Sequence, residues 1–176
     1  YKGDLIKQFI ALAYPDKKFT FVEIENYDGP GSGLGHTMLQ AKEYLKCPFI
    51  FISNDTIIAD EIPTAYKMTS LGNWIGYSNI MANDNYRSVE IDDGKVVCLH
   101  EKSGHKNFPA YIGICGIKDF DQFWKLMEDG QQEAVAKGES YALSKMIGTF
   151  KFDAINFEWY DTGNKESLSA AINKFK

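Results

Sequence analysis

Two carboxylates, Asp55 and Asp161, stand where apolar runs far apart in the chain give way to polar residues. Residues 47–58, CPFIFISNDTII, form a short apolar run that breaks abruptly into Ser53-Asn54-Asp55. Such a run reads as a strand buried on both faces of a parallel sheet. Ligands sit at the carboxyl ends of strands in sheets of that kind. A pair of carboxylates at two strand ends suits one Mg2+, a hard ion that takes one or two carboxylates and completes its shell with substrate phosphates. Glu101-Lys102 stands at a third strand end, where the lysine can serve as a point charge for a phosphate. Asn54 and Asp55 are also good turn formers, so a capped turn is the second reading of the same residues.

Other reactive types give less. His36, His100 and His105 show no ligand spacing in sequence. His36 heads a helix and could donate to a phosphate, a capping or solvated role being the plainer reading. Neither a GxSxG elbow nor a Cys/His pairing is present. Trp159 and Tyr160 suit stacking on a base or sugar as well as they suit packing.

The elements that must position these groups alternate along the chain. Gly3-Asp4 opens an amphipathic helix carrying Leu5, Ile6, Phe9, Ile10 and Leu12. A polar turn at 15–18 leads to a strand at 19–24, rich in β-branched and aromatic residues. Residues 26–35 contain Gly29, Gly31, Gly33 and Gly35 and feed a helix over 36–46, with Met38, Leu39, Ala41, Tyr44 and Leu45 on its buried side. A glycine-rich turn before a helix admits a ligand to the backbone and offers it amides. It lacks the Gly-Lys-Ser/Thr ending of a P-loop, and a flexible surface loop is its other reading. Residues 56–71 read as a helical excursion and 73–80 as a strand. Residues 88–91 and 95–99 form a hairpin across Asp92-Asp93-Gly94. Residues 110–117 read as a buried strand in which Gly113 and Gly116 mark a close approach. Asp119 caps a long helix to residue 137, striped by Phe120, Phe123, Trp124 and Met127 and stopped by Gly138. A short helix at 140–147, a strand at 150–157 and a final helix with Leu168, Ala171, Ile172 and Phe175 complete the chain. The alternation predicts one α/β domain over 1–176, built on a mostly parallel central sheet with helices on both faces. Because the chain opens at Tyr1 directly with a helix, the fold reads as N-terminally incomplete, beginning just after a strand.

Bulk properties narrow the classes. The 176 residues carry 19 basic and 24 acidic side chains, a net charge of −5, with no basic block to bind nucleic acid. No apolar run approaches the ~20 residues that span a bilayer. The 3 cysteines, Cys47, Cys98 and Cys115, are widely spaced and read as reduced core thiols of a cytoplasmic protein, neither a disulfide framework nor a zinc site.

Four segments, in order, resemble the sugar-phosphate nucleotidyltransferases, which join an NTP to a sugar 1-phosphate and release pyrophosphate. SGLGHT at 32–37 resembles the family's base-binding glycine turn, and FISNDTII at 51–58 its strand with a metal-binding Asp. Glu101-Lys102, followed by Tyr111-Ile112-Gly113, resembles the sugar-phosphate-binding stretch. WYDTGNKESL at 159–168 resembles the segment with the second metal-binding Asp. The resemblance implies a catalytic set of Asp55, Lys102 and Asp161, with Mg2+ on Asp55 and Asp161. It implies nucleotide contacts at Gly33, Leu34, Gly35 and Asn54, and sugar contacts at Glu101, Tyr111, Gly113 and Trp159. Its partners are an NTP and a sugar phosphate, with no nucleic acid and no membrane, a homo-oligomer being open; its products often serve surface polysaccharide synthesis. The family's N-terminal glycine-rich loop with a basic residue is not matched, so these 176 residues alone are expected to turn over little or not at all. Arg87-Ser88 stands where the family commonly has a glycine touching the sugar, and Leu34 replaces a frequent Thr. A non-catalytic nucleotide- or sugar-phosphate-binding module of the same fold is the alternative. A metal-dependent glycosyltransferase is a third reading, disfavoured because Asn54-Asp55-Thr56 is not Asp-x-Asp.

Overall fold

The computed structural model describes residues 2–63, 71–102 and 107–174. Its centre is a six-stranded mixed sheet. The strands are β1 (Phe49–Ile52), β3 (Asn73–Met81), β4 (Ser88–Asp92), β5 (Lys95–His100), β6 (Pro109–Ile117) and β7 (Phe152–Asn156), in spatial order β1-β6-β3-β7-β5-β4. A further pairing of β4 with β6, at Ser88 and Ala110, closes the far strands into a small barrel. A separate two-stranded ribbon joins β2 (Thr56–Ile58) to β8 (Trp159–Asp161). The helices are α1 (Gly3–Ala13), α2 (Leu34–Ala41), α3 (Phe120–Asp129), α4 (Gln131–Lys137), α5 (Glu139–Met146) and α6 (Lys165–Lys174).

The main core lies between the sheet and α2 to α5. Ile75, Cys115, Phe123, Met127, Leu143, Met146 and Phe152 are fully buried there, and Trp124 stacks on Phe49 with ring centroids 5.4 Å apart. Burying side chains of this size stabilises by about 1.5–3 kcal/mol each. A second cluster of Trp74, Ile112, Ile114, Phe157 and Trp159 includes the root of β8.

The α/β class holds, but the sheet is not mostly parallel. Among the described strands β3 and β7 run parallel, and β1–β6, β3–β6, β4–β5, β4–β6 and β5–β7 are antiparallel. Periodicity cannot register this, because an apolar run looks alike in either direction. Accordingly β1, read as buried on both faces, lies at the sheet edge with Phe49 buried and Ile52 exposed. Residues 56–58 form β2 where a helix was expected, and 64–70 of that segment lie outside the described residues. The expected strand at 19–24 has no strand pairing, leaving Phe19 and Phe21 exposed. The stripe of α1 contributes nothing to the core; Leu5, Ile6, Phe9 and Leu12 are all exposed. In α6 only Ala171 is buried. Tyr44, expected on a buried face, is exposed. Cys47 is exposed and Cys98 half-buried, so of the three only Cys115 is a core thiol. The long helix after Asp119 is two, broken where Gln131 takes a φ of 47°. Asp119 makes no side-chain cap and instead accepts from Asn73 Nδ2 at 2.6 Å.

The hairpin is formed as read, with Asp93 and Gly94 both at positive φ, as a type I′ turn requires. The glycine turn is real but faces inward. A Cβ on Gly33 would lie 2.5 Å from the Val135 carbonyl oxygen, and one on Gly35 would lie 2.0 Å from that of Ala134. These glycines let α2 lie directly on α4. Gly35→Ala is therefore expected to cost about 1–3 kcal/mol through overpacking, lowering Tm by about 2–4 °C per kcal/mol for a chain of this size. Gly3→Ala, where a Cβ meets nothing, is the control. Equal melting of the two variants would contradict this packing.

Candidate active site

The ribbon β2–β8 brings the two carboxylates together. Its register sets Thr56 opposite Asp161, and Thr162 donates to the Asp55 carbonyl through both its amide, at 2.9 Å, and its hydroxyl, at 3.0 Å. A Cβ added to Gly163 would lie 3.2 Å from Asp161 Oδ1 and 3.2 Å from Asp55 Oδ2. Both carboxylates thus converge on one small space beside Gly163.

The turn bearing Asp55 is fixed on β6. Ser53 N donates to the Gly113 carbonyl at 2.8 Å and Thr56 Oγ1 to that of Ile112 at 2.8 Å. Gly113 has a φ of 72°, and a Cβ there would come within 2.5 Å of Ser53 Oγ. The glycine in β6 therefore admits the protein's own Ser53. Asp161 is held by two donors: Gly163 N reaches Oδ1 at 2.9 Å and Tyr86 Oη reaches Oδ2 at 2.7 Å. Burial, reinforced by the bond to Asp161 and the charges of both aspartates, pushes the Tyr86 hydroxyl up to about 12. It remains a proton donor to Asp161 throughout the neutral range.

A cleft of about 210 Å³ opens beside this pair. Asp55, Asp161, Lys102, Leu34, Tyr111, Gly113 and Trp159 line it, so these expected site residues meet in space. Asn54 and Glu101 do not line it, and Gly33 and Gly35 pack on α4 instead. Glu101 acts one step back, bonding Arg87 Nε at 3.2 Å and Lys137 Nζ at 3.1 Å, and both of those cations line the cleft. Tyr111 is buried, and its hydroxyl donates to Glu139 Oε1 at 3.1 Å.

Tyr86, Arg87, Lys137 and Glu139 are lining residues that sequence reading missed. For Arg87 a signal existed, its place at a position where the resembled family has a sugar-contacting glycine. Glu139 gave none, since a Glu opening a helix reads as solvated. It is only 4% exposed, and burial pushes its carboxyl up despite the nearby Arg87 charge. Among the described residues, Glu139 Oε2 and Trp159 Nε1 are the buried side-chain polar atoms without a hydrogen-bond partner. One accepts, the other donates, and both residues line this cleft.

The fold is that of the nucleotidyltransferases. The chain superposes on a putative glucose-1-phosphate thymidylyltransferase from Bacillus anthracis with a TM-score of 0.75 at 16% identity, covering 99% of this chain and 72% of that one. On apo UDP-glucose pyrophosphorylase the TM-score is 0.70 at 19% identity, covering 99% and 69%. In sequence it is 26% identical over 178 residues to the bifunctional protein GlmU of Methanococcus vannielii, covering 96% of this chain and 41% of GlmU. It is 28% identical over 151 residues to GlmU of Methanococcus maripaludis, covering 81% and 35%. The chain thus spans less than half the length of these curated relatives. No family model matches it.

Glu139 yields a pH-dependent prediction. Its folded carboxyl binds a proton more tightly than the ordinary value of 4.5, so its stabilising share is intact below that value and is lost as pH rises through the folded one. Gln does not titrate and can still accept from Tyr111. Glu139→Gln is expected to raise Tm at pH 8 by about 2–8 °C, from relief of about 1–2 kcal/mol of unpaired buried charge. The gain should shrink toward pH 4. A lower Tm at pH 8 would contradict this account of Glu139.

Proposed function

We propose that the protein containing this chain transfers a nucleotidyl group from an NTP to a sugar 1-phosphate, or a similar phosphate, with release of pyrophosphate. The observation that carries this reading is the convergence of Asp55 and Asp161 on one space beside a cleft holding Lys102. The acceptor's phosphate oxygen attacks the α-phosphorus in line, that P–O bond forms, and the bond to the β-phosphate breaks as pyrophosphate leaves. Such transfers depend mainly on positioning and charge neutralisation.

Asp55 and Asp161 fit Mg2+, offering hard oxygens around a space the size of one heavy atom. When bound, the ion neutralises phosphate oxygens that would otherwise repel the incoming nucleophile. Lys102 holds the acceptor phosphate as a point charge. Glu139 Oε2 accepts from a ligand hydroxyl, and Trp159 Nε1 donates to one. Glu101 is a positioning residue that spreads Arg87 and Lys137 along the cleft wall. Leu34 offers an apolar surface for the nucleotide. An acceptor that is a phosphate on a sugar or small alcohol is supported by proteins of the same fold such as CTP:phosphocholine cytidylyltransferase from Streptococcus pneumoniae and inositol-1-phosphate CTP transferase from T. maritima. Among the described residues no helix is long and apolar enough to cross a membrane; a cytoplasmic setting suits NTP-dependent chemistry.

The test is pyrophosphate release by the native protein carrying these residues, across paired NTPs and sugar 1-phosphates. Asp55→Asn and Asp161→Asn are each expected to lower kcat/KM by on the order of 10²–10³-fold, as when one preorganised charge-stabilising group is lost. Mg2+-dependent nucleotide binding with no pyrophosphate from any pair would replace this reading with the binding module. Turnover indifferent to both substitutions would overturn the site.

A further inference from the structure

A second cluster lies on the β4–β5 hairpin, and none of its members lines the cleft. Glu90 faces Cys98 across the hairpin. Cys98 and His100, two residues apart on one strand, project to the same face. Cys98 Sγ lies 3.6 Å from His100 Nδ1, and His100 Nε2 lies 3.0 Å from Glu90 Oε2. One donor atom from each residue falls within 4.8 Å of the other two, and all three residues are half-buried. The His100 ring is stacked on Phe108, centroids 5.2 Å apart and planes 12° from parallel, which restrains its swing.

We propose that Glu90, Cys98 and His100 form a binding site for a thiophilic divalent cation, with Zn2+ the ion that fits best. Thiolate, imidazole and carboxylate are the ligand types zinc takes, and three protein ligands leave the open fourth position of a non-structural site. The sulfur selects against the hard Mg2+ assigned to Asp55 and Asp161. Binding exchanges bonds in a balanced way: the Cys98 thiol releases its proton to solvent as the sulfur–metal bond forms. His100 would give the ion Nδ1, the nitrogen facing Cys98, and Glu90, with a side chain 40% exposed, would leave Nε2 to reach the same ion. The site clasps β4 to β5 at the end where the chain runs on into Glu101 and Lys102. Ser88, which pairs with His100, directly follows Arg87. The ion therefore steadies the strand ends that carry two cleft residues, Arg87 and Lys102, and the Glu101 that pairs with Arg87, without itself touching substrate.

The test uses chelator-stripped native protein, with Co2+ as the spectroscopic probe and Zn2+ by calorimetry. The expected result is a thiolate-to-cobalt charge-transfer band, abolished by Zn2+ and absent in Cys98→Ser. Zn2+ affinity should fall at least about 10-fold in that variant and in Glu90→Gln, and stay unchanged in Cys47→Ser. In the wild-type protein, Zn2+ should also shield Cys98, and not the exposed Cys47, from alkylation mapped by mass spectrometry. Absence of the band, its survival in Cys98→Ser, or equal alkylation of Cys98 with and without Zn2+ would overturn the proposal. The alkylation result stands even where a variant fails to fold.

Discussion

The pairing of β2 with β8, three residues on each side, is the contact on which the cleft depends. It joins segments 107 positions apart, and without it Asp55 and Asp161 would lie on unrelated loops. Two carboxylates facing one space repel each other. The protein offsets this with the Tyr86 hydroxyl and the Gly163 amide, both of which donate to Asp161. Gly163 keeps this space open: a Cβ there would lie 3.2 Å from a carboxylate oxygen of each aspartate.

The rest of the cleft is organised by charge in layers. Lys102 lies at its surface, while Arg87 and Lys137 stand on a wall steadied by Glu101. Glu139 closes the buried end with one oxygen spent on Tyr111 and one left over. A buried carboxylate held half-satisfied costs stability that a neutral residue would not. Its place in the lining of a cleft to which Trp159, with its own buried unpartnered Nε1, also contributes accords with a ligand that both donates and accepts. The hydrophobic cluster of Trp74, Ile112, Ile114 and Phe157 anchors β8 beneath these groups, so core packing and site geometry share the same residues.

Much of this was legible in sequence because it rests on local signals. The hairpin turn at Asp93-Gly94, the strand ends bearing Asp55 and Lys102, and the strand of 110–117 with its glycine follow from backbone chemistry a few residues wide. Strand direction did not, since apolar runs in β1 and β6 carry no mark of the antiparallel partner they find. The glycine turn was read as facing a ligand, but glycine permits close approach without naming what approaches; at Gly33 and Gly35 it is α4, at Gly113 it is Ser53. Glu139, Tyr86 and the Glu90–Cys98–His100 cluster became visible only in space. Cross-strand neighbours have no fixed sequence spacing, which is why Cys98 and His100 read as unrelated to any metal. The stripes of α1 and α6 show the reverse failure: Leu5, Ile6, Phe9 and Leu12 are exposed, as are Leu168 and Ile172, while Ala171 is buried and Phe175 lies outside the described residues.

The most direct measurement of the central claim is paramagnetic broadening of backbone amide resonances by Mn2+, a hard stand-in for Mg2+, titrated at substoichiometric levels. Binding between Asp55 and Asp161 predicts that amides of residues 53–56, Gly113 and 161–163 broaden first, with Gly94 at the hairpin tip unaffected, and that Asp55→Asn abolishes the effect. First broadening anywhere else, or an undiminished pattern in Asp55→Asn, would contradict the claim that these two carboxylates form the metal site.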